Sequence, residues 1–272
     1  MLIELEPSQF SRCAKITNPH GHLEVRAIIG GNNPGRVFVE DEEKPTSGLV
    51  WLGNHDGFFF IGNEKNSEFN RKVSSFIDRV IAPQAQEFGL EWFECFGNHR
   101  GWEDQIKNIF FGREMQTWNQ RVFTLPKGKS VIPGHANPGE GFSLIRLSPE
   151  NFNPEISNYP FWLKRVCEFW GELDSFFTLG FGYGILRNKE MVGICFSGFA
   201  HEDMHGIDIE ILPSFQGRKL AQLMARSFVR ECRAQDLSPY WDCMEGNKAS
   251  EAVARKIGLV ESFSYPGFEF AL

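Results

Sequence analysis

Long apolar runs are missing from this 272-residue chain. No stretch reaches the roughly 18 consecutive apolar residues that a membrane-spanning helix requires, so no membrane partner is expected. Cysteine is sparse and dispersed. Cys13, Cys95, Cys167, Cys195, Cys232 and Cys243 form no C-x-x-C pair, which argues against a disulfide framework or a zinc knuckle. They read as reduced, mostly buried thiols of a cytoplasmic protein. Basic runs are absent too. With a net charge of −7, the chain is not built to neutralise nucleic-acid phosphates. Its first residues, Met1–Phe10, carry neither a basic start nor an apolar core segment, so no secretory signal is expected.

What is present points to a large core. Hydrophobic residues make up 42% of the chain, with 27 Phe and 7 Trp, enough for one large domain or two ordinary ones. β-Branched and aromatic runs predict strands at 36–40, 47–52, 57–62, 90–95 and 117–125, with helices over about 67–88 and 101–110. Residues 1–30 give mixed signals. Residues 127–141, KGKSVIPGHANPGEG, have the Pro/Gly content of a linker. Beyond it come predicted strands at 142–147, 184–187, 191–196, 207–212, 240–243 and 262–270, with helices at 159–170, 220–232 and 248–257. Both halves run through the same order of elements. Leu90–Cys95 with Asn98 is echoed by Tyr240–Cys243 with Asn247, which reads as an internal duplication. The expected fold class is α/β, with two mixed-sheet domains in tandem (1–126 and 142–272).

One stretch carries the chemistry. Ile207, Ile209 and Ile211 alternate with Asp208, Glu210 and Leu212 as a strand, and Pro213 stops it. Phe215–Lys219 is a short loop. Leu220, Leu223, Met224, Phe228 and Cys232 then repeat at helical spacing. A strand, a glycine turn and a helix start together form an anion site, because the first N–H groups of a helix lack partners. Arg218 and Lys219 strengthen that field.

This pattern resembles the GNAT superfamily of acetyl-CoA-dependent N-acetyltransferases. Gln216-Gly217-Arg218-Lys219-Leu220-Ala221 is similar to its loop signature Q/R-x-x-G-x-G/A, with Lys219 in place of the central glycine. Asn247, Ser250, Ala254, Lys256, Gly258 and Leu259 follow its second motif, N-x-x-A/S-x-x-x-x-x-K-x-G-F. The likeness covers residues 140–272, and its details look like the zwittermicin-A-resistance branch. The resemblance implies acetyl-CoA as cosubstrate and no metal. The backbone N–H groups of Gly217, Arg218, Lys219, Leu220 and Ala221 would receive the pyrophosphate, and the strand Glu210, Ile211 and Leu212 would pair with the pantetheine arm, with Gln216, Asn247 and Ser250 also at the cofactor. The acceptor would be a small-molecule amine. Glu210, and after it Asp208, is the expected base; a backbone N–H of Ile211 or Leu212 would polarise the carbonyl. Many members place a tyrosine acid where this chain has Ala254; Tyr265, Ser250 and Cys243 are the substitutes. The N-terminal half has Asn63-Glu64-Lys65-Asn66 where the loop signature would stand, so it is expected to be degenerate and to bind no cofactor.

Other motifs point elsewhere. His201-Glu202-Asp203-Met204-His205 matches H-E-x-x-H, which on a helix would bind zinc and make a peptidase. The span between flanking strands is too short for that helix. Gly180, Gly182 and Gly184 precede a strand, unlike a dinucleotide loop. His20 and His22 read as exposed loop residues. Phe161, Trp162, Phe169, Trp170, Phe176 and Phe177 read as core. Lys219 and Ala254 leave a second reading open, an acyl-CoA-binding protein without catalysis.

Overall fold

The computed structural model describes residues 1–126, 128 and 137–272. Most of the proposed 127–141 linker therefore lies outside the described residues. The chain forms two compact units: Met1–Gln120 with Tyr265–Leu272, and Arg121–Ser264.

The first unit opens with β1 (Ile3–Leu5), a 3-10 turn at Pro7–Cys13 and α1 (Leu23–Ile29), elements the mixed N-terminal signals did not resolve. β2 (Gly35–Val39), β3 (Ser47–Leu52) and β4 (Phe58–Gly62) form an antiparallel meander. The predicted 67–88 helix has three parts: α2 (Ser67–Phe76), a π turn at Ile77–Ile81 and α3 (Ala82–Glu87). Pro83 explains the break. It has no N–H to give the preceding turn, and the Ala82 N–H bonds five residues back, to Ile77. β5 (Trp92–Gly97) lies parallel to β4, α4 (Gly101–Ile109) follows, and β6 (Gln116–Thr124) leads towards the second unit. Trp51, Phe58, Phe60, Phe69, Phe93, Trp102 and Phe110 fill the core between sheet and helices.

The second unit repeats the scheme. β7 (Phe142–Arg146) precedes α5 (Tyr159–Trp170) and α6 (Leu173–Leu179). β8 (Gly182–Arg187), β9 (Glu190–His201) and β10 (Met204–Ile211) form its meander. After α7 (Leu220–Ala234) comes β11 (Ser238–Met244), parallel to β10, then α8 (Lys248–Lys256). β12 (Val260–Ala271) starts here, and its residues from Tyr265 belong with the first unit, pairing antiparallel with β5. Every residue of the predicted α7 stripe is buried, under the sheet with Phe181, Ile185 and Trp241. Gly182 and Gly184 lie in β8, where an added Cβ would come within 2.7 Å of Phe196 and 2.9 Å of Met191; close strand packing accounts for them. Of the aromatic group, Trp162, Phe169, Trp170 and Phe176 are buried, while Phe161 is exposed and Phe177 half-buried.

Candidate active site

The two parallel pairs of strands differ. In the first unit β4 and β5 pair at Phe58↔Cys95, Phe59↔Phe96 and Phe60↔Gly97, and the Asn98 N–H continues the ladder to the Phe60 carbonyl at 2.9 Å. In the second, β10 and β11 pair only at Met204↔Ser238, His205↔Pro239 and Gly206↔Tyr240, before the middle of β10. A register shift against β9 falls between His205 and Ile207, and such a bulge bends its strand. Beyond it β10 and β11 splay apart. The gap is a groove of about 660 Å³, lined by Ile209 and Ile211 of β10, Trp241 of β11, the loop and first turn of α7 from Phe215 to Gln222, and Asn247, Ala249, Ser250, Val253 and Lys256.

Backbone alternation decides which groups face that groove. The Leu212 N–H donates to the Val192 carbonyl at 2.9 Å, on the β9 side. Consecutive residues of a strand present their backbone groups to opposite edges, so Ile211 and Ile209 face the groove. The Ile211 carbonyl accordingly accepts from Gln216 Nε2 at 3.2 Å. Of the two residues expected to offer an N–H, Leu212 spends its own in the ladder and its side chain is not among the groove lining, whereas Ile211 faces the groove.

The loop is shaped by two residues in left-handed backbone, Gly217 (φ 77°) and Lys219 (φ 65°, ψ 13°). Lys219, which stands where the loop signature has its central glycine, thus holds the conformation that glycine adopts most easily. It stands at the N-cap of α7 and makes no capping hydrogen bond through its side chain. The N–H groups of Leu220, Ala221 and Gln222 thus open the helix without an intrahelical acceptor, at its positive end. Arg218, Lys219 and Lys256 line the same groove, and among the described residues no carboxylate does. Asn247 caps α8 by accepting from the Ser250 N–H at 3.0 Å, and Ser250 Oγ accepts from Trp241 Nε1 at 3.0 Å. A pyrophosphate-bearing ligand suits this donor set: free backbone N–H groups, three cations and no competing anion.

Asp208 and Glu210 lie on the other face of β10, against α5. Arg165 holds Asp208 with both arms, Nη2–Oδ2 at 2.7 Å and Nε–Oδ1 at 3.3 Å, and its Nε is 3.6 Å from Glu210 Oε2. The Asp208 side chain is 16% exposed and that of Glu210 38%, so Glu210 is the more accessible carboxylate. Among the three substitute acids, Ser250 lines the groove and Tyr265 and Cys243 do not. Tyr265 belongs to the first unit, where its ring packs on His22 (4.2 Å between centroids), which is buried rather than exposed, and on Phe96 (5.6 Å). Cys243 is buried, and burial pushes its thiol pKa up.

The H-E-x-x-H motif spans a hairpin. β9 ends at His201, Glu202 takes a left-handed turn conformation (φ 51°), and His201 pairs across with Met204. His205 pairs with Ala200, so the two histidines project from opposite faces of the ladder. They cannot share one metal ion. His205 instead faces inward, its Nδ1 2.9 Å from Ser197 Oγ.

A model of GNAT acetyltransferases matches residues 14–268. The chain belongs to this family. It is therefore an acyltransferase, and acetyl-CoA is the cosubstrate the family uses. The chain is 25% identical over 235 residues to an uncharacterised N-acetyltransferase, YdfB, of Bacillus subtilis, a span covering 86% of this chain and 85% of the relative. Among solved structures, a GCN5-related N-acetyltransferase-like protein from Streptococcus suis is similar over 97% of this chain and 98% of its own (TM-score 0.69, 19% identity). A tandem GNAT protein from the clavulanic acid biosynthesis pathway is similar over 100% and 98% (TM-score 0.59, 10% identity). These likenesses agree with two GNAT-like units in one chain. Among the described residues no helix is long and apolar enough to cross a membrane.

Proposed function

We propose that the second unit binds acetyl-CoA in the groove between β10 and β11, and that the chain acetylates a cationic small-molecule amine, such as an aminated antibiotic. The observation that carries this reading is the splay: Ile211 turns its backbone into a groove ringed by Arg218, Lys219, Lys256 and the start of α7. Acetyl-CoA, when bound, supplies an acetyl group already activated as a thioester. The Ile211 N–H would donate to the carbonyl oxygen, where negative charge develops during attack. Glu210 would take the proton of the acceptor ammonium, directly or through one water, leaving the neutral amine as nucleophile. As the new C–N bond forms and the C–S bond breaks, the thiolate leaves and is protonated; Ser250, the substitute acid in the groove, would stabilise it by hydrogen bonding. Asp208, held on both oxygens by Arg165, is the poorer base.

The first unit supports a different role. Its β4–β5 ladder stays closed, and Asn66 already accepts from the Glu68 and Phe69 N–H groups at the start of α2. We extend the proposal to this half: it is a degenerate GNAT domain with no acetyl-CoA site, and the sequence bounds 1–126 and 142–272 mark the ancestral repeat. Cytoplasmic residence fits the family's cosubstrate and the mostly buried thiols.

Calorimetry with acetyl-CoA tests the site, and thiol release over a panel of aminated antibiotics, spermidine and a peptide N-terminus tests the acceptor. The expected result is one acetyl-CoA per chain, with turnover on the cationic small molecules. Two molecules per chain would remove the degenerate-half reading. Turnover confined to the peptide would remove the acceptor class.

A further inference from the structure

Arg165 lies outside every sequence motif, yet the structure builds it into β10 from several sides. Its helix α5 is fastened to β9 by two indoles: Trp162 Nε1 donates to the Met191 carbonyl at 2.8 Å, and Trp170 Nε1 to the Ser197 carbonyl at 2.6 Å. Eight residues separate them, about 12 Å of helix at ~1.5 Å per residue. Arg165 falls between these two anchors, so its backbone cannot slide relative to the sheet. The guanidinium also lies over the Phe169 ring, 5.0 Å from its centroid. Its Nη1 is 3.3 Å from Glu168 Oε2 one helical turn on.

Asp208 and Glu210 are two residues apart on one strand face, which sets their Cα atoms roughly 6.5–7 Å apart. Unaided, the two anions repel. The guanidinium stands against both, with a two-point fork on Asp208 and Nε 3.6 Å from Glu210. Burial works against its charge, but Asp208, Glu210 and Glu168 outweigh burial and raise the Arg165 pKa, so it remains a cation throughout the working range. Lysine could keep the charge but not the fork, because an ammonium has no planar pair of donors to lock on one carboxylate while addressing another.

We propose that Arg165 is a positioning residue for acetyl transfer: locked on Asp208, it fixes the Glu210 carboxylate for proton abstraction from the acceptor. The inference rests on the reading of Glu210 as the base. Asp208 then anchors the guanidinium, which accounts for its own two-oxygen engagement. Acetyl-CoA binding is untouched by this device, because the groove is lined from the Ile209 and Ile211 side of β10.

The test is a double-mutant cycle on the full chain with Arg165→Lys, Glu210→Gln and the double variant. Acetyl-CoA affinity is read by calorimetry, and kcat and KM by thiol release with the fastest amine of the panel. Arg165→Lys is expected to lower kcat about 10²-fold, the scale of a misplaced catalytic group. In the Glu210→Gln background the same change should cost less than about threefold, because a residue acting through Glu210 has nothing left to position. Acetyl-CoA affinity should stay within about twofold throughout, which also shows that the variants fold. Equal losses of kcat in both backgrounds would overturn the inference and leave a merely structural arginine. Wild-type kcat in Glu210→Gln alone would overturn the base assignment itself, and the inference with it.

Discussion

Lys219 occupies left-handed backbone (φ 65°, ψ 13°) at the position where the family signature places glycine. For a residue with a Cβ this conformation costs roughly 1–2 kcal/mol. Replacing Lys219 with glycine relieves that strain but adds freedom to the unfolded chain, worth about 0.4–1 kcal/mol against folding. Lys219→Ala retains the strain without that loss. Lys219→Gly should therefore be more stable than Lys219→Ala by about 0.5–1 kcal/mol, reversing the usual order at a helix, where alanine is better by about 1 kcal/mol. In a chain of this size the gap corresponds to about 2 °C in thermal midpoint. Both variants also lose an exposed cation from the groove. At about 4 Å in water such a charge contributes on the order of 1 kcal/mol, so acetyl-CoA should bind about fivefold more weakly to each. That loss should fade in high salt. Thermal unfolding and calorimetry of the pair give both readouts. If Lys219→Ala equals or exceeds Lys219→Gly in stability, the left-handed assignment and the strain argument are wrong.

Gln216→Ala/Arg218→Ala removes the side chain held on the Ile211 carbonyl and a second groove cation; acetyl-CoA affinity should fall about tenfold, roughly 1.4 kcal/mol. Unchanged affinity would detach the loop from the cofactor. Ala254 is fully buried against the α7 core, so Ala254→Tyr should destabilise by about 1–3 kcal/mol or more and yield no gain in kcat, measured by urea unfolding and thiol release. A stable, faster variant would show that the common tyrosine acid fits here after all. Burial lowers the His205 pKa from 6.5 to about 4, with the Asp203 charge opposing. The unfolded chain takes up this proton near pH 6.5 and the folded chain only near 4, so the stability is whole above that window and is lost as pH falls through it. By pH 5 the loss is about 2 kcal/mol, and His205→Gln should flatten it; parallel urea profiles at pH 7 and 5 would contradict the assignment.

The legible parts of this chain were local ones. The alternation of Ile207, Ile209 and Ile211, the stop at Pro213 and the stripe from Leu220 to Cys232 follow from side-chain periodicity, and the fold has each of them. The anion-binding character of the α7 start was equally readable, because free N–H groups belong to any helix N-terminus. Residues 1–30 were not legible, since short strands and 3-10 turns leave no period long enough to recognise. The sequence also suggested a mainly regular helix over 67–88, and Pro83 converts its middle to a π turn.

Composition, the repeated order of elements and the loop and Asn247 motifs thus determined by themselves the class of fold and the family. Tertiary structure decided which backbone edge faces the groove. Ile211 and Leu212 are equivalent in sequence, and only the Leu212 bond to Val192 separates the engaged N–H from the one facing the groove. It likewise decided that His201 and His205 point apart, and that Arg165, 43 residues from Asp208 along the chain, meets it across a helix–strand contact. Such pairings depend on strand register and helix docking, which residue spacing does not encode.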